Sequence, residues 1–325
     1  MIKAHSRELS VAGAIAGLCL VLAVAAPAYF SGENLADMFL ENVPVLIVAV
    51  GMTLVILTGQ IDISVGSMFA VCGVAAGVFA KFGFPAPVSG LVTCFAGAVL
   101  GAFNGGLVAY LRVPSIVATL AAMVALRDGL RWATQGAWIE DLPPGFQWLG
   151  FSQSSFPGVM FLGAGGIAIA AGWSLRNLAA GRAIYATGSN EEAAQLVGID
   201  TRFHIFSVFT LTGALAGLAA LLNSVRFNQI PSNAGLGLEM KVVAAVVVGG
   251  TAITGGTGSI AGTVLGVILL GAIGPALTFL GINAYWEKAI QGAIILAAIV
   301  ADAVRVRLAF RGSRKHASSP AATRA

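Results

Sequence analysis

The sequence predicts an all-α fold, a polytopic membrane helix bundle of about ten transmembrane helices, some of them interrupted, with both termini cytoplasmic. The first observation is composition: 58% of the 325 residues are hydrophobic and only 10% are charged, whereas soluble domains carry about 25% charged residues. The second is the presence of 42 glycines, which are frequent where membrane helices pack closely. The third is a succession of long apolar runs. Such a chain has too few polar residues to cover a soluble surface.

Ten apolar runs define the predicted membrane domain, residues 11–304. A helix that crosses the hydrocarbon core needs about 20 apolar residues, and most of the runs approach that length. Pro44 and Pro114 lie near the starts of the second and fifth runs, where a first helical turn tolerates proline. The predicted spans are 11–30, 43–59, 65–80, 88–110, 114–132, 156–175, 203–222, 240–254, 260–280 and 284–304.

Both ends of the chain are predicted to be cytoplasmic: residues 1–10, and a basic, disordered tail of residues 305–325 that touches anionic headgroups. Lys and Arg are enriched in cytoplasmic loops. With the N-terminus inside, twelve of the 18 Lys and Arg residues fall on the inner side and six on the outer side. A cleaved signal peptide is the alternative for residues 11–30, but that run is long for a signal core.

Several kinds of chemistry are disfavoured by the composition. The net charge of +4, without clustered basic residues in polar surroundings, does not indicate a nucleic-acid partner. Cys19, Cys72 and Cys94 lie inside apolar runs without paired spacing, which is typical of free buried thiols. We therefore predict no metal site, no cofactor and no catalytic residue, and we do not expect the chain to be an enzyme.

Two glycine-rich breaks interrupt the apolar pattern, one at residues 58–67 and one at residues 249–259, beside the short spans 65–80 and 240–254. Backbone outside a helix is tolerated at membrane depth only where protein or a water-filled cavity satisfies its polar groups. Interrupted helices therefore indicate a transport pathway. The breaks contribute these candidate pathway or gate residues: Gln60, Asp62, Ser64 and Thr254.

Asp62 is the most informative of these residues, because an Asp at the centre of a membrane helix costs about 2.5–3.5 kcal/mol. Two compatible roles remain open: Asp62 caps the next helix with the help of Ser64, or it contacts a solute or gate directly. The second break also contains a loose dinucleotide-loop pattern at residues 256–261, but no acidic residue follows at the spacing that ribose binding requires. Nucleotide binding is therefore not predicted.

The longest predicted inner loop, residues 176–202, contains a short amphipathic helix. Ser189 or Asn190 can cap its start, and acidic residues in its first turn complement the helix dipole. Gly198 is suited to end it. Such a helix either docks into the groove of a partner or lies on its own bundle as a surface helix, and the spacing alone does not decide between these alternatives.

Three segments together resemble the membrane permease subunits of ABC importers. Residues 59–66, Gly-Gln-Ile-Asp-Ile-Ser-Val-Gly, resemble the Gly-Gly-Ile-Asp-Leu-Ser-Val-Gly signature of the ribose-type sugar permeases, with Gln60 as a mild departure. Residues 186–199 resemble the coupling loop of these subunits, and residues 246–262 resemble their glycine-rich segment. The resemblance extends over residues 40–305, and the three motifs occur in the expected order.

A further similarity concerns Ala102-Phe103-Asn104-Gly105, which resembles the Asn-Gly turn of that family and adds Asn104 to the candidate pathway. The resemblance implies a multi-pass protein of the inner (plasma) membrane that imports a monosaccharide such as ribose, xylose, rhamnose or an autoinducer-type furanose. The implied partners are two cytoplasmic ABC ATPase domains, a periplasmic or tethered solute-binding protein, and a second permease copy in a homodimer or heterodimer. The ATPase-coupling residues are Gly188, Asn190, Glu191, Ala193, Ala194 and Gly198.

The longest predicted outer loop and the helix before it offer a docking surface for the binding protein. Our hypothesis assigns charge-paired contacts to Arg127 and Arg131 in the helix and to Glu140 and Asp141 in the loop. The alternative for the two arginines is that they extend to the lipid headgroups.

Two other functions remain as alternatives. The first is a related branched-chain amino-acid permease. An ion-coupled secondary transporter would need intramembrane ionisable residues, for which Asp62 is the only strong candidate in the sequence. The coupling loop favours the ABC permease, because a secondary transporter has no ATPase to engage.

Overall fold

A computed structural model describes residues 6–283, 285–294, 296–297 and 300, and this part of the chain is predominantly helical. Two single 3-10 turns, Pro27–Phe30 and Gln147–Gly150, accompany the α-helices, and helical backbone recurs at 286–294. The helices are α1 (Ser6–Ala25), α2 (Gly32–Leu57), α3 (Val65–Lys81), α4 (Ala86–Ala109), α5 (Ser115–Thr134), α6 (Phe156–Asn177), α7 (Ala179–Ser189), α8 (Glu191–Leu196), α9 (Thr201–Ser224), α10 (Leu238–Val248) and α11 (Ile260–Phe279).

Six of the described helices are long and apolar enough to cross a membrane: α1, α2, α4, α6, α9 and α11. Helix α3 is apolar but shorter, at 17 residues. Helix α5 has 20 residues, and it carries Arg127, Asp128 and Arg131 in its second half. The prediction of an all-helical membrane bundle is confirmed, while the count of ten spans and the side on which each terminus lies stay predictions.

Helix α2 forms the centre of the bundle, with 78% of its most apolar window buried. Helix α9 packs against α2, α3 and α4. The α4–α9 contact depends on glycine: a Cβ at Gly97 or Gly213 would overlap the backbone carbonyl oxygen of the other glycine. Small residues therefore let these two backbones approach, as close packing of membrane helices requires.

Helix α2 begins at Gly32, earlier than the predicted start at residue 43. Ser31 caps it, since its hydroxyl accepts a hydrogen bond from the Asn34 backbone N–H at 3.4 Å. Residues 32–42 mix polar and apolar side chains but are helical, and Pro44 lies inside the helix. Apolar length alone marks the most apolar part of such a helix and misses its mixed first turns.

The predicted span 240–254 is wrong at its end, because α10 stops at Val248. Gly250 has a φ of +95°, which only glycine adopts readily, and a Cβ at Gly249 would overlap the Gly262 carbonyl oxygen of α11. Residues 249–254 therefore belong to the second break.

The two ends of the predicted domain organisation are only partly described. Residues 6–10, predicted as part of a cytoplasmic segment, are already helical in α1. Of the predicted span 284–304, helical backbone is described at 286–294, and the predicted tail 305–325 lies outside the described residues.

Candidate functional site

The first break, residues 58–64, holds a fully buried polar cluster at the start of α3. Asp62 is 0% exposed, and its Oδ1 accepts hydrogen bonds from the Ser64 N–H at 2.9 Å and the Ser64 hydroxyl at 2.6 Å. The Asn104 amide of α4 donates to the Ser64 hydroxyl at 2.7 Å. Asp62 Oδ2 and Asn104 Oδ1 are buried without a hydrogen-bond partner among the described residues. Because buried polar atoms are usually paired, these two acceptors mark a place where a proton, water or solute hydroxyl can bind.

The second break lies against the first break. The Gly256 backbone N–H donates a hydrogen bond of 2.9 Å to the carbonyl oxygen of Leu57, the last residue of α2. A Cβ at Gly59 would lie 3.4 Å from the Thr254 carbonyl oxygen. The breaks therefore form one contact, although they are far apart in sequence.

Helix α7 joins this contact as a third element. A Cβ at Gly188 would overlap the Leu57 carbonyl oxygen and lie 2.7 Å from the Gly256 nitrogen. The Tyr185 hydroxyl also donates to the Gly258 carbonyl oxygen at 2.9 Å. We call this meeting of Leu57, Gly188 and Gly256 the glycine junction.

Helix α8 follows α7 directly and is held by local polar contacts. The Asn190 side chain accepts a hydrogen bond from the Ala193 N–H at 2.9 Å, so Asn190 is the N-cap. The Glu191 carboxylate accepts from the Thr201 hydroxyl at 3.2 Å, which ties α8 to the start of α9. Gly198, with a φ of +85°, lies in the turn after the helix. The predicted short helix therefore exists, with Asn190 rather than Ser189 as its cap.

The exposed surface of α8 is not formed by both of its small residues, Ala193 and Ala194. Ala194 is only 3% exposed and packs within this chain, whereas Ala193 is exposed. Leu196 and Val197 are 89% and 76% exposed at the end of the helix. Two large adjacent apolar side chains in this position form a surface suited to a partner, and we call them the α8 apolar tip.

Arg127, predicted as a docking residue, points into the bundle. Its Nε donates to the Ser67 hydroxyl of α3 at 3.1 Å, and its guanidinium lies 3.7 Å from the Glu239 carboxylate in the first turn of α10. The exposed fractions of the two side chains are 20% and 10%. This buried ion pair therefore links α3, α5 and α10.

The other predicted docking residues lie on the surface. Arg131 and Asp128 form an exposed pair at 4.0 Å. The Glu140 carbonyl oxygen accepts a hydrogen bond from Lys81 Nζ at 3.1 Å, and Asp141 has a φ of +54°. Arg131, Glu140 and Asp141 thus remain available for a protein partner, and the docking hypothesis rests on them.

Comparison with known proteins identifies the family. Residues 34–299, most of the chain, match the family described as "Branched-chain amino acid transport system / permease component". The chain belongs to this permease family. The family predicted from the sequence motifs is thereby confirmed, and the permease is a multi-pass protein of the inner membrane.

Its relatives are permeases as well. The permease is 37% identical over 309 residues to the "Autoinducer 2 import system permease protein LsrC" of Salmonella typhi, covering 94% of this chain and 88% of the relative. It is 40% identical over 299 residues to the protein of the same description from Klebsiella pneumoniae subsp. pneumoniae, with coverage of 91% and 86%. No solved structure matches the permease.

The candidate pathway residues of the permease fall into two groups. Asp62, Ser64 and Asn104 form the buried cluster, whereas the exposed Thr254 and the half-buried Gln60 lie near the glycine junction. From the sequence, Leu196 and Val197 were already predicted on the apolar face of α8, whereas the Arg127–Glu239 pair was not predicted. An Arg inside one apolar helix and a Glu in the first turn of another are a signal that could have indicated the pair, because intramembrane charges usually pair.

Proposed function

We propose that the permease is the membrane-spanning subunit of an ABC importer for a monosaccharide or a related small furanose, delivered by a solute-binding protein. The permease works with two cytoplasmic ATPase domains and a second permease copy. We also propose that the permease has the ten predicted spans and that both termini are cytoplasmic. The observation that carries the proposal is a chain of contacts. Helix α8 has an exposed apolar tip, and it is connected through α7 and the glycine junction to both broken helices.

Coupling in this proposal runs from the ATPase to the pathway. The α8 apolar tip binds the ATPase, Asn190 and Glu191 hold α8 on its neighbours, and Gly188 and Gly198 allow the close approach and turn at either side. Ala193 lies on the exposed side of α8 and adds to the surface that the ATPase contacts, while Ala194 packs within the chain. Motion of α7–α8 then displaces the end of α2 and the second break together, because all three elements touch.

The pathway in this proposal includes Gln60 and Thr254 near the glycine junction. It also includes the buried polar cluster of Asp62, Ser64 and Asn104. The unpaired oxygens of Asp62 and Asn104 accept hydrogen bonds from solute hydroxyls when the cluster opens. Import of a furanose-like solute is favoured over a branched-chain amino acid by the relatives, whose descriptions name autoinducer 2 import at 37–40% identity. The family description retains the amino acid as the second candidate.

Replacing the α8 apolar tip should separate the permease from its ATPase. Burial of a Leu or Val side chain contributes about 1.5–3 kcal/mol, so the double variant Leu196→Ser/Val197→Ser should weaken ATPase binding by at least about 100-fold. The measurement is co-purification of the ATPase with the permease in detergent. Leu111→Ser is the matched control, because Leu111 is also an exposed Leu, at 69%, outside α8. Unchanged ATPase recovery with the double variant would remove the coupling assignment.

Reversing the charge of Arg131 should weaken docking of the solute-binding protein. Arg131 is 66% exposed, so Arg131→Glu acts on a rim charge, and the expected effect is a slower association that depends on ionic strength. Arg112→Glu, just before the other end of α5, is the control. Surface plasmon resonance with immobilised permease measures both variants, and an association rate for Arg131→Glu equal to that of the wild type would contradict docking through this residue.

A further inference from the structure

A cavity of about 590 Å³ opens at the end of the bundle opposite the glycine junction. Its wall includes Glu41 of α2, which lies 16 residues before Leu57 and therefore about 24 Å from it along the helix axis. The first residues of α10 and residues 285–292 complete the wall. The volume falls within the range of about 300–1,000 Å³ that small-molecule sites usually occupy. We call this space the α2–α10 cavity.

The charges that line the α2–α10 cavity are balanced. Two carboxylates, Glu41 and Glu287, and two ammonium groups, Lys241 and Lys288, all line it. A balanced set favours a ligand without net charge, which is either a polyhydroxylated molecule or a zwitterion, and the proposed import of a sugar selects the first. Carboxylates accept and ammonium groups donate hydrogen bonds, so a ligand with several hydroxyl groups can bind to both.

The groups around the cavity are partly fixed before any ligand arrives. The Gln291 amide donates to the Glu287 carboxylate at 2.9 Å, and a Cβ at Gly274 of α11 would lie 2.8 Å from that carboxylate, so Glu287 packs directly on α11. The Arg226 guanidinium donates a hydrogen bond to the Leu40 carbonyl oxygen at 3.1 Å, next to Glu41 in α2. Burial lowers the pKa of Arg226, and the charges of Glu41 and Asp37 oppose this shift. Fixed polar groups bind a ligand without first losing conformational freedom.

A thin wall separates the α2–α10 cavity from the polar interior. Gly235 and Gly237 line the cavity, and a Cβ at Gly235 would lie 2.6 Å from the Gly66 carbonyl oxygen of α3. Behind this wall, the Glu239 carboxylate and the Arg127 guanidinium lie against the same Gly66. The Arg127–Glu239 ion pair is therefore the first polar group that a solute would meet on moving from the cavity toward Ser64 and Asp62.

We propose that the α2–α10 cavity is a receiving site for a neutral, polyhydroxylated solute, in which Lys241 and Glu287 bind the solute hydroxyls before the wall at Gly235 opens. The inference rests on the proposed function, because it gives the imported sugar a first contact on the permease. It adds residues that none of the sequence motifs contains.

Saturation-transfer-difference NMR on the full-length permease in nanodiscs tests the site, with D-ribose, D-xylose and L-rhamnose as probes and L-leucine as the comparison. The wild type should bind at least one of the three sugars saturably. The double variant Lys241→Gln/Glu287→Gln should lose at least tenfold in affinity, since each change removes a charged hydrogen-bonding group from the wall. The matched control is Lys81→Gln/Glu33→Gln, which makes the same changes at exposed positions outside the cavity.

The outcomes separate this inference from the proposed function. Equal sugar affinity of the wild type and the cavity double variant, or no saturable binding of any of the three sugars, would overturn the receiving site. Saturable binding of L-leucine that the cavity variant abolishes would overturn the polyhydroxylated ligand. Uptake by cells that express the complete importer reports on the function itself. If the cavity variant takes up sugar as well as the wild type does, the proposed function stands and only the receiving site is overturned.

Discussion

Glu239→Ala should destabilise the permease by about 3–5 kcal/mol, because removal of one partner leaves the other charge of a buried pair uncompensated. Arg127 would keep its hydrogen bond to Ser67 but lose the carboxylate 3.7 Å away. The expected result is a large decrease in the thermal unfolding temperature of the detergent-solubilised protein. The effect should extend to transport, since the pair joins α10 to the helix that follows the first break.

The exposed Arg131–Asp128 pair on α5 provides the matched control. Its side chains are 66% and 68% exposed, and exposed pairs contribute about 0–1 kcal/mol, so Asp128→Ala should change the unfolding temperature little. The double replacement Arg127→Met/Glu239→Leu should recover much of the stability, because apolar residues of similar volume can replace a buried pair. A Glu239→Ala variant as stable as Asp128→Ala would contradict the buried placement of the pair.

Gly188→Ala should uncouple transport from ATP hydrolysis while it leaves the ATPase bound. The new Cβ would overlap the Leu57 carbonyl oxygen and approach the Gly256 nitrogen to 2.7 Å. Both are backbone atoms that no rotamer change can move, and overpacking of this kind costs about 1–3 kcal/mol. We expect the hydrogen bond from Gly256 to Leu57 to break and the transport rate to decrease at least tenfold. The measurement is the ratio of solute transported to ATP hydrolysed in proteoliposomes.

Gly166→Ala in α6 is the control for this change. A Cβ at Gly166 meets no atom within 4 Å, and alanine is favoured over glycine inside a helix by about 0.5–1 kcal/mol. This variant should transport as well as the wild type. Full coupling in Gly188→Ala would show that α7 does not act on the pathway through the glycine junction.

Much of the architecture follows from local sequence. Long apolar runs predicted the membrane helices. The glycine-rich segments 58–67 and 249–259 predicted that two of them are interrupted, although the predicted span 240–254 extended past the end of α10. Ser189 or Asn190, followed by two glutamates, predicted the start of α8, and the structure selects Asn190. These features depend on residues within one or two turns of each other, so a single sequence contains the necessary information.

The arrangement of the candidate site depends on contacts between distant segments. The sequence marks Ala193 and Ala194 as similar, and only the packing of α8 on its neighbours buries one and exposes the other. Thr254 lies near Gly59 because the two breaks are in contact. Arg127 was assigned an outer role from its position along α5, but its long side chain reaches Glu239 instead. The first two relations have no local sequence signal, whereas the charges in α5 and α10 could have indicated the third.

In the proposed mechanism, ATP hydrolysis on a partner chain drives solute through this permease by way of α8. The most direct test is uptake of labelled D-ribose, D-xylose or L-rhamnose into proteoliposomes that contain the permease and its ATPase, with the binding protein outside and ATP inside. We expect ATP-dependent uptake by the wild type and its loss in Leu196→Ser/Val197→Ser. Uptake that persists without ATP and follows an ion gradient would contradict it.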